Sequence, residues 1–213
     1  MADANKKKFY ANQAESIIKK LNLRKMEGYY VPTMDEAITK VLELIGPASK
    51  SVSYGGSMTI DNTDLKSKIK EAGHDLIIRE DYKTDEEMRD LKAKMINSDT
   101  FLMSTNAITL DGELVNIDGR GNRVSFLIYG PEQVIVIAGM NKVVKDVCSG
   151  IDRVRNFASP PNTVRLNRDT PCSKTGRCGD CLEHTICCET VITRCSMIPG
   201  RIKVILVGEE VGY

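Results

Sequence analysis

The cysteines of the chain are concentrated in one late segment, TPCSKTGRCGDCLEHTICCET, which spans residues 170–190 and holds five of the seven. Four of them, Cys172, Cys178, Cys181 and Cys187, have the spacing C-x5-C-x2-C-x5-C. Two thiolates two residues apart can grip one metal ion from a tight turn, and the flanking thiolates can complete four-thiolate coordination of zinc or an iron–sulfur cluster. The spacing therefore predicts a metal centre and leaves zinc and iron–sulfur equally open.

Other roles for these thiols stay open. Cys178 and Cys181 could form a dithiol redox pair, although such a motif usually opens a helix after a strand, whereas this one lies in a loop. Cys188 could replace Cys187 as a ligand, or the extra thiols could be buried. Cys148 lies apart from the segment and is predicted to be a core residue, because free cysteine is often buried. The additional candidates near the four cysteines are His184, Cys188 and Cys195.

Two glycine-rich loops carry the other candidate site residues. Gly55-Gly56-Ser57 combines backbone that a ligand can approach closely with a hydroxyl beside free amides, which suits a phosphate or carboxylate. A plain Gly-Gly turn is the alternative. The second loop, Ser104 to Val124, carries more converging polar groups than a hairpin requires. Those predicted to bind a ligand are Asn106, Asn116, Asp118, Gly119, Gly121, Asn122 and Arg123.

The second loop also contains the candidate catalytic groups. Asp111 or Asp118 could act as a general base, and Arg123 could pair with an anionic group of the ligand. Asp118 could alternatively orient a hydroxyl or position Arg123. The pair Asp111-Gly112 is also a strong hairpin signal, so a plain β-hairpin from Thr109 to Ile117 is the competing interpretation.

Hydrophobic periodicity and capping patterns place these candidates on alternating helices and strands. Helical spacing predicts helices over residues 5–21 and 65–72, and capping boxes at Thr33–Glu36 and Thr84–Glu87 start two more. Apolar runs predict strands over residues 51–54, 75–78, 100–104, 134–138 and 202–207, with extended pieces over 114–117 and 126–129. Asn141 is predicted to cap a helix that Ser159-Pro160-Pro161-Asn162 ends.

This alternation predicts an α/β fold with an open, largely parallel, Rossmann-like sheet. Ligands of such sheets usually lie beyond the carboxyl ends of the strands, which directs attention to the loops after Tyr54, Ser104 and Ile117. Residues 1–213 are expected to form one domain, with a helical region over 1–50. The cysteine segment is expected to be an insertion over 170–195, because the strand over 202–207 returns the chain to the sheet.

Composition excludes some partners. Thirty basic residues stand against twenty-nine acidic ones, so no basic footprint for nucleic acid is expected. No apolar run is long enough for a membrane span or a secretion signal, which predicts a cytoplasmic protein without a membrane partner. Thiols are kept reduced in the cytosol, which favours metal binding, redox chemistry or burial over disulfides. A homodimer is plausible, because an open sheet leaves edges to cover.

Four stretches, YGGSMTI, NAITLDGELVNIDGRGNRV, GPEQVIVIAGMNKVV and GRIKVILVGEEVGY, resemble the LUD-domain family, the lactate-utilisation proteins. The resemblance is close from about Ser51 to Tyr213 and most specific from Asn106 to Arg123. A subgroup has a similar cysteine-rich tail, T-P-C…G-x-C-x-D-C…C. The family resembles the sugar-phosphate isomerase and CoA-transferase-like fold. That resemblance implies that Gly55–Ser57 and the loop from Asp111 to Arg123 line the ligand cleft.

The resemblance implies a protein that binds a small anionic metabolite and assists oxidation of lactate or a related organic acid. A cysteine-bound zinc ion or iron–sulfur cluster would accompany it, with redox proteins as partners. One alternative is an enzyme acting on a sugar phosphate or CoA ester, and another is a non-enzymatic subunit with a structural zinc site. The nucleophilic glutamate of CoA transferases cannot be placed here, since the one glutamate of the loop, Glu113, has the setting of an exposed turn.

Overall fold

A six-stranded parallel sheet forms the centre of the computed structural model, which describes residues 4–213. Every pairing between neighbouring strands in this sheet is parallel. The α/β fold class and the parallel sheet are therefore confirmed. Across the sheet the strands are β1 (Glu27–Val31), β10 (Ile202–Val207), β7 (Gln133–Gly139), β4 (Thr100–Met103), β2 (Ser51–Tyr54) and β3 (Asp75–Leu76).

Helices cover both faces of the sheet. The α-helices are α1 (Ala4–Leu23), α2 (Met34–Ile45), α3 (Met58–Asp61), α4 (Leu65–Glu71), α5 (Asp85–Ile96), α6 (Asn122–Ile128), α7 (Val147–Arg153), α8 (Ser159–Arg165) and α9 (Pro171–Thr175). Successive residues of a strand point to opposite faces, so Val134 and Val136 of β7 pack with α1, whereas Ile135 and Ile137 pack with α2 and α4. Strand β7 is consequently apolar at nearly every position. None of the helices in residues 4–213 has the length and apolar character to cross a membrane.

A second, four-stranded sheet stands beside the first. Its strands in order are β8 (Val143–Val144), β5 (Ala107–Thr109), β6 (Leu114–Asp118) and β9 (Glu189–Thr193). Strands β5 and β6 pair antiparallel around the Asp111-Gly112 turn, which is the hairpin that the sequence offered as an alternative. Strand β9, from the end of the cysteine segment, pairs with β6 along five residues. The cysteine segment is thus tied to the loop with the candidate ligand-binding residues.

Local signals predicted most element starts. Thr33 accepts a hydrogen bond from the Glu36 amide, and Thr84 and Glu87 form the complete reciprocal capping box. Each expected strand of the parallel sheet lies within two residues of its predicted limits. The region over 1–50, expected to be helical, also contains β1, which pairs with β10 at the sheet edge.

Four local predictions are wrong. Residues 126–128 are helical rather than extended. Asn141 lies in a 3₁₀ turn, and the following helix, α7, begins after Asp146, whose carboxylate accepts from the Ser149 amide. The helix also continues through Pro160 and Pro161, with a π-helical turn over Val154–Ala158 just before them. Such a widened turn eases the steric clash and missing donor that prolines bring to a helix. Cys148 is exposed rather than buried.

Candidate functional site

A cleft of about 880 Å³ opens at the carboxyl ends of the central strands. Strands β2, β4 and β7 are neighbours and run parallel, so the loops that follow them meet at the same edge of the sheet. These loops contribute Ser57, Ser104 and Lys142 to the cleft lining. The helical stretch over residues 154–165 and residues 184–186 of the cysteine segment form the opposite side. The cleft is large enough for a small metabolite or a cofactor.

The cleft collects most of the predicted ligand-binding residues. Those that line it are Gly56, Ser57, Asn106, Asp118, Gly119, Asn122 and Arg123. Gly55, Asn116 and Gly121 support the lining from behind. A side chain at Gly55 would come within 2.7 Å of the Arg123 Cγ atom, and Gly121 adopts a left-handed φ of 69° at the start of α6. Glycine is required at both positions, by close contact in the first case and by backbone conformation in the second.

Asp118 and Arg123 form a buried ion pair inside the wall of the cleft. The Arg123 Nε atom donates to Asp118 Oδ1 at 3.0 Å, and the two side chains are 11% and 9% exposed. The other Asp118 oxygen accepts from the backbone amides of Arg123 and Val124, so this carboxylate also caps the first turn of α6. Both oxygens of Asp118 are thus occupied by protein donors, so this carboxylate is poorly placed to contact a proton of a substrate.

The guanidinium of Arg123 is occupied in the same way. Its terminal nitrogens donate to the Ser104 and Ile117 carbonyls and to the Asn106 side chain. The Asn106 side-chain oxygen also accepts from the Ile117 amide, while the buried Asn116 side chain accepts from the Asn106 amide. These residues therefore hold the β5–β6 hairpin in place. Most donors of Arg123 are therefore occupied, and its charge is paired with that of Asp118.

Asp111, the other candidate base, does not line the cleft. It lies at the tip of the β5–β6 hairpin, where its carboxylate is 3.1 Å from the Lys20 ammonium of α1. Both side chains of this pair are about half exposed. Asp111 therefore belongs to a surface ion pair between the hairpin and the first helix.

Basic groups outnumber acidic ones in the cleft. Its two lining carboxylates already have partners, since Asp118 pairs with Arg123 and Asp169 pairs with Lys174 outside the cleft. Positive potential in a partly enclosed cleft concentrates anions. The basic residues that line the cleft are Arg79, Arg120, Arg123, Lys142, Arg165 and Arg168.

Lys142 is the most unusual of these basic residues. It is 3% exposed, and its ammonium nitrogen contacts only two hydroxyls, Thr59 Oγ1 at 3.0 Å and Ser104 Oγ at 2.8 Å. None of the ion pairs among residues 4–213 includes it, and the charges that act on it are those of Arg153 and Arg123. Burial, with help from these two arginines, lowers the pKa of Lys142 from 10.5 to about 7. Its amine is therefore substantially uncharged near neutral pH.

Asn141 fixes the surroundings of Lys142. Its side chain donates to the Gly212 carbonyl and accepts from the Val211 amide, which holds residues 211–212 over the cleft floor. The Thr59 hydroxyl also reaches the Val211 carbonyl. Asn141, predicted to cap a helix, instead joins two loops at the carboxyl edge of the sheet.

The cysteine segment packs along the helical stretch over residues 154–165. Cys178 accepts from the Arg155 Nε atom at 3.2 Å, Cys187 lies 3.4 Å from the Ser159 hydroxyl, and Cys172 lies 3.5 Å from the Thr163 hydroxyl. The three helix positions are four residues apart and so lie on one face. One helix face therefore aligns three of the four predicted ligands, with Cys187 in the middle.

The pKa of Cys187 is affected by the other three cysteines of the predicted centre. Burial raises the pKa of its thiol, the Ser159 hydroxyl opposes the shift, and the thiolates of Cys172, Cys178 and Cys181 add to it. Each of the other three thiols is thus close enough to Cys187 to affect its pKa. In residues 4–213, however, no three His, Cys, Asp or Glu side chains are arranged so that they could already hold a metal ion. The four-cysteine centre stays a prediction.

Comparison with known families and structures identifies the fold. The family model described as the LUD domain matches residues 14–207. The chain belongs to the LUD-domain family. This membership relates the protein to lactate utilisation, as the sequence resemblance implied, and the match includes both glycine-rich loops and the cysteine segment. A comparison with curated proteins found no match.

Of two solved structures compared with this LUD protein, the first agrees with its fold. A DUF162 family protein from Deinococcus radiodurans is similar with a TM-score of 0.51 and 14% identity, and the match covers 93% of this chain and 98% of that one. At this identity the likeness concerns the fold alone. The eIF2B beta structure from Chaetomium thermophilum has a TM-score of 0.35 and 16% identity, with coverage of 62% of this chain and 42% of that one.

Sequence reasoning missed Lys142 in this LUD domain. The residue follows β7, the most apolar strand, and the rule that ligands lie at the carboxyl ends of strands applies to that loop as well. The valines and isoleucine after Asn141 have helical spacing, and this pattern predicted a helix in place of the loop that holds Lys142. Arg153, which donates to the Asn106 and Asn141 carbonyls beside the cleft, was overlooked for the same reason.

Proposed function

We propose that the cleft binds a small anionic metabolite, a short carboxylate of lactate or related organic-acid oxidation. The observation that carries the proposal is the charge of the cleft, because four of its lining arginines form no ion pair within residues 4–213, whereas both lining aspartates are neutralised by partners. Membership of the LUD-domain family supports a carboxylate from lactate metabolism as the first ligand to test.

The geometry favours binding through charge at the rim and hydroxyls at the floor. Arg79, Arg120, Arg165 and Arg168 are exposed around the opening, where they attract an anion through solvent. Lys142 with the Thr59 and Ser104 hydroxyls lies deeper, where water is excluded and polar contacts are stronger. A ligand that carries a carboxylate next to a hydroxyl or carbonyl group matches both zones.

The binding proposal predicts that L-lactate or pyruvate titrates into the protein with saturable heat and weaker affinity at higher salt. The double variant Arg120→Gln, Arg168→Gln should weaken this binding roughly tenfold, as expected for two partly screened charge interactions. Arg89→Gln, an exposed arginine of α5 that does not line the cleft, is the matched control and should bind normally.

Calorimetry with a sugar phosphate and with CoA in the same buffers tests the alternative substrate classes. Saturable binding of one of those, with none of the carboxylates, would replace the proposed ligand class. Absence of binding by any of them would contradict an anion-binding cleft altogether.

We further propose that Cys172, Cys178, Cys181 and Cys187 together hold a zinc ion or an iron–sulfur cluster. Their spacing supports it, and so do the alignment of three thiols on one helix face and the influence of the other three thiols on Cys187. An iron–sulfur cluster would supply one-electron transfer, and zinc would supply structural cross-linking. Because residues 184–186 line the cleft, the centre would adjoin the ligand.

Metal analysis after anaerobic purification tests this proposal. Each of the variants Cys172→Ser, Cys178→Ser, Cys181→Ser and Cys187→Ser should lose most of the bound iron or zinc, since a missing thiolate leaves the site incomplete. Cys148→Ser, at an exposed thiol away from the cysteine segment, is the control and should keep the metal. Iron with sulfide would favour electron transfer, and zinc would favour a structural subunit. Protein without either metal would contradict the centre.

A further inference from the structure

Lys142 combines features that a lysine engaged only in charge pairing does not have. It is buried at the floor of the cleft, and its nitrogen lies 3.0 Å and 2.8 Å from two hydroxyls. The groups packed around it are Thr59 of α3, Ser104 after β4 and Gly212 of the last loop, none of which is charged. The charged groups that act on it are Arg123 of α6 and Arg153 of α7.

Burial and neighbouring positive charge oppose protonation of Lys142. Desolvation and two neighbouring cations disfavour the ammonium form, and Asp118, which also lines the cleft, is already bound to Arg123. A neutral lysine amine has a lone pair that is free to attack an electrophile. The two hydroxyls orient the nitrogen, and Asn141 keeps residues 211–212 over it.

We propose that Lys142 is a nucleophile that forms an imine with the carbonyl group of a small 2-oxo carboxylate bound in the cleft. The proposal rests on the proposed function, because it needs the cleft to bind a short carboxylate. The basic residues that line the cleft would hold the carboxylate end of the ligand, which leaves the adjacent carbonyl at the floor. No oxidant or reductant takes part in this step.

The chemistry balances without a cofactor. The nitrogen lone pair of Lys142 forms a bond to the carbonyl carbon, and the π electrons of the carbonyl move to its oxygen. The oxygen takes up a proton and the nitrogen gives one up, which produces a carbinolamine. Loss of that oxygen as one molecule of water leaves the carbon–nitrogen double bond. The Ser104 hydroxyl, which contacts both Lys142 and the Thr105 carbonyl, is placed to relay the proton.

Reductive trapping tests the proposal directly. The full chain is incubated with pyruvate and cyanoborohydride, and its intact mass and peptides are measured. We expect one adduct per chain, at Lys142, with a mass equal to that of pyruvic acid less one oxygen atom. L-Lactate, which has no carbonyl group, should give none. Trapping should reach its full rate just above pH 7, whereas an ordinary lysine continues to gain reactivity up to about pH 10.

Matched variants make the result specific. Lys142→Arg keeps a long basic side chain but removes the nucleophilic amine, and Lys142→Met removes the basic group altogether; each should abolish the adduct. Lys145→Arg, at an exposed lysine three residues away, should label like the original protein. Two variants are used because a buried arginine could disturb folding, whereas methionine fits an apolar interior.

Calorimetry with pyruvate separates the possible failures. If pyruvate binds but is not trapped at Lys142, the imine inference is wrong and the anion-binding proposal stands. If pyruvate neither binds nor is trapped, both are wrong. Labelling spread over exposed lysines, with no preference for Lys142, would also overturn the inference and would leave Lys142 as a structural link between Thr59 and Ser104.

Discussion

Replacing Asp118 with alanine should lower the free energy of unfolding by about 3–5 kcal/mol, because it leaves a buried arginine without its counter-charge. Arg123 is 11% exposed and receives its only ion pair from Asp118. The same substitution removes the carboxylate that accepts from the amides of Arg123 and Val124 in the first turn of α6. The hairpin, the helix start and the cleft wall should all loosen together, so urea denaturation should show a lower midpoint.

Asp111→Ala is the matched control for this prediction. It removes the same side chain from the same loop, but its partner, Lys20, is about half exposed, and such surface pairs contribute at most about 1 kcal/mol. The two variants therefore make the same chemical change, one at a buried aspartate and the other at an exposed one. Equal, small losses in both would contradict the assignment of Asp118 as the central structural carboxylate of the cleft.

Replacing Lys142 with methionine should have the opposite effect and stabilise the protein at and below neutral pH. The folded-state pKa of Lys142 is about 7, compared with 10.5 for an ordinary lysine, so the unfolded chain binds more protons between these values. The free energy of unfolding of the original protein should therefore rise as the pH increases from about 7 to about 10. Below pH 7 the penalty is fully present and is on the order of 4 kcal/mol.

Urea denaturation at about pH 6.5 and about pH 9.5, on the two sides of that window, measures the effect. We expect Lys142→Met to gain roughly 2–4 kcal/mol over the original protein at the lower pH, and much less at the higher one. Lys145→Met, at an exposed position, should change stability little at either pH. A pH-independent loss of stability in Lys142→Met would mean that its hydrogen bonds outweigh the burial of its charge.

Stability and function then conflict at Lys142. A residue that destabilises the folded state by desolvation is kept more easily where the neutral amine is used, and active sites commonly contain such strained groups. A more stable but unreactive Lys142→Met protein would agree with the imine inference. A more stable protein that is still labelled by pyruvate at other positions would agree only with the desolvation of Lys142.

The elements of the parallel sheet could be predicted because their signals are local. The capping box at Thr84 and the apolar run of β7 each act within a few residues, and the structure places both as expected. The errors arose where partners distant in sequence outweighed local preference. Val143 and Val144 have helical spacing with later residues, but they form β8 because β5 offers them backbone partners. Residues 126–128 are helical for a more local reason, because Asp118, at the end of β6, caps the first turn of α6.

The candidate site likewise has features that local sequence signals predicted and features that only tertiary contacts determined. Residue types and spacing indicated the loops around Ser57 and Asp118, and the cleft contains both. They could not indicate that Asp118 and Arg123 satisfy each other, or that Asp111 faces solvent beside Lys20. The availability of a charged group depends on its partners, and these partners come from different elements. The cysteine spacing likewise predicts four ligands, but only the helix over residues 154–165 aligns three of them.

The sequence by itself determined the α/β fold, the family and the loops that line the cleft, because periodicity, capping and motif spacing are local properties of the chain. Only the tertiary structure decided which polar groups in that cleft are free to react. Lys142 meets Ser104 and Thr59 across 38 and 83 residues of sequence, and it is buried there without a carboxylate. Burial and pairing set the charge of a side chain, and both arise only when distant segments pack together.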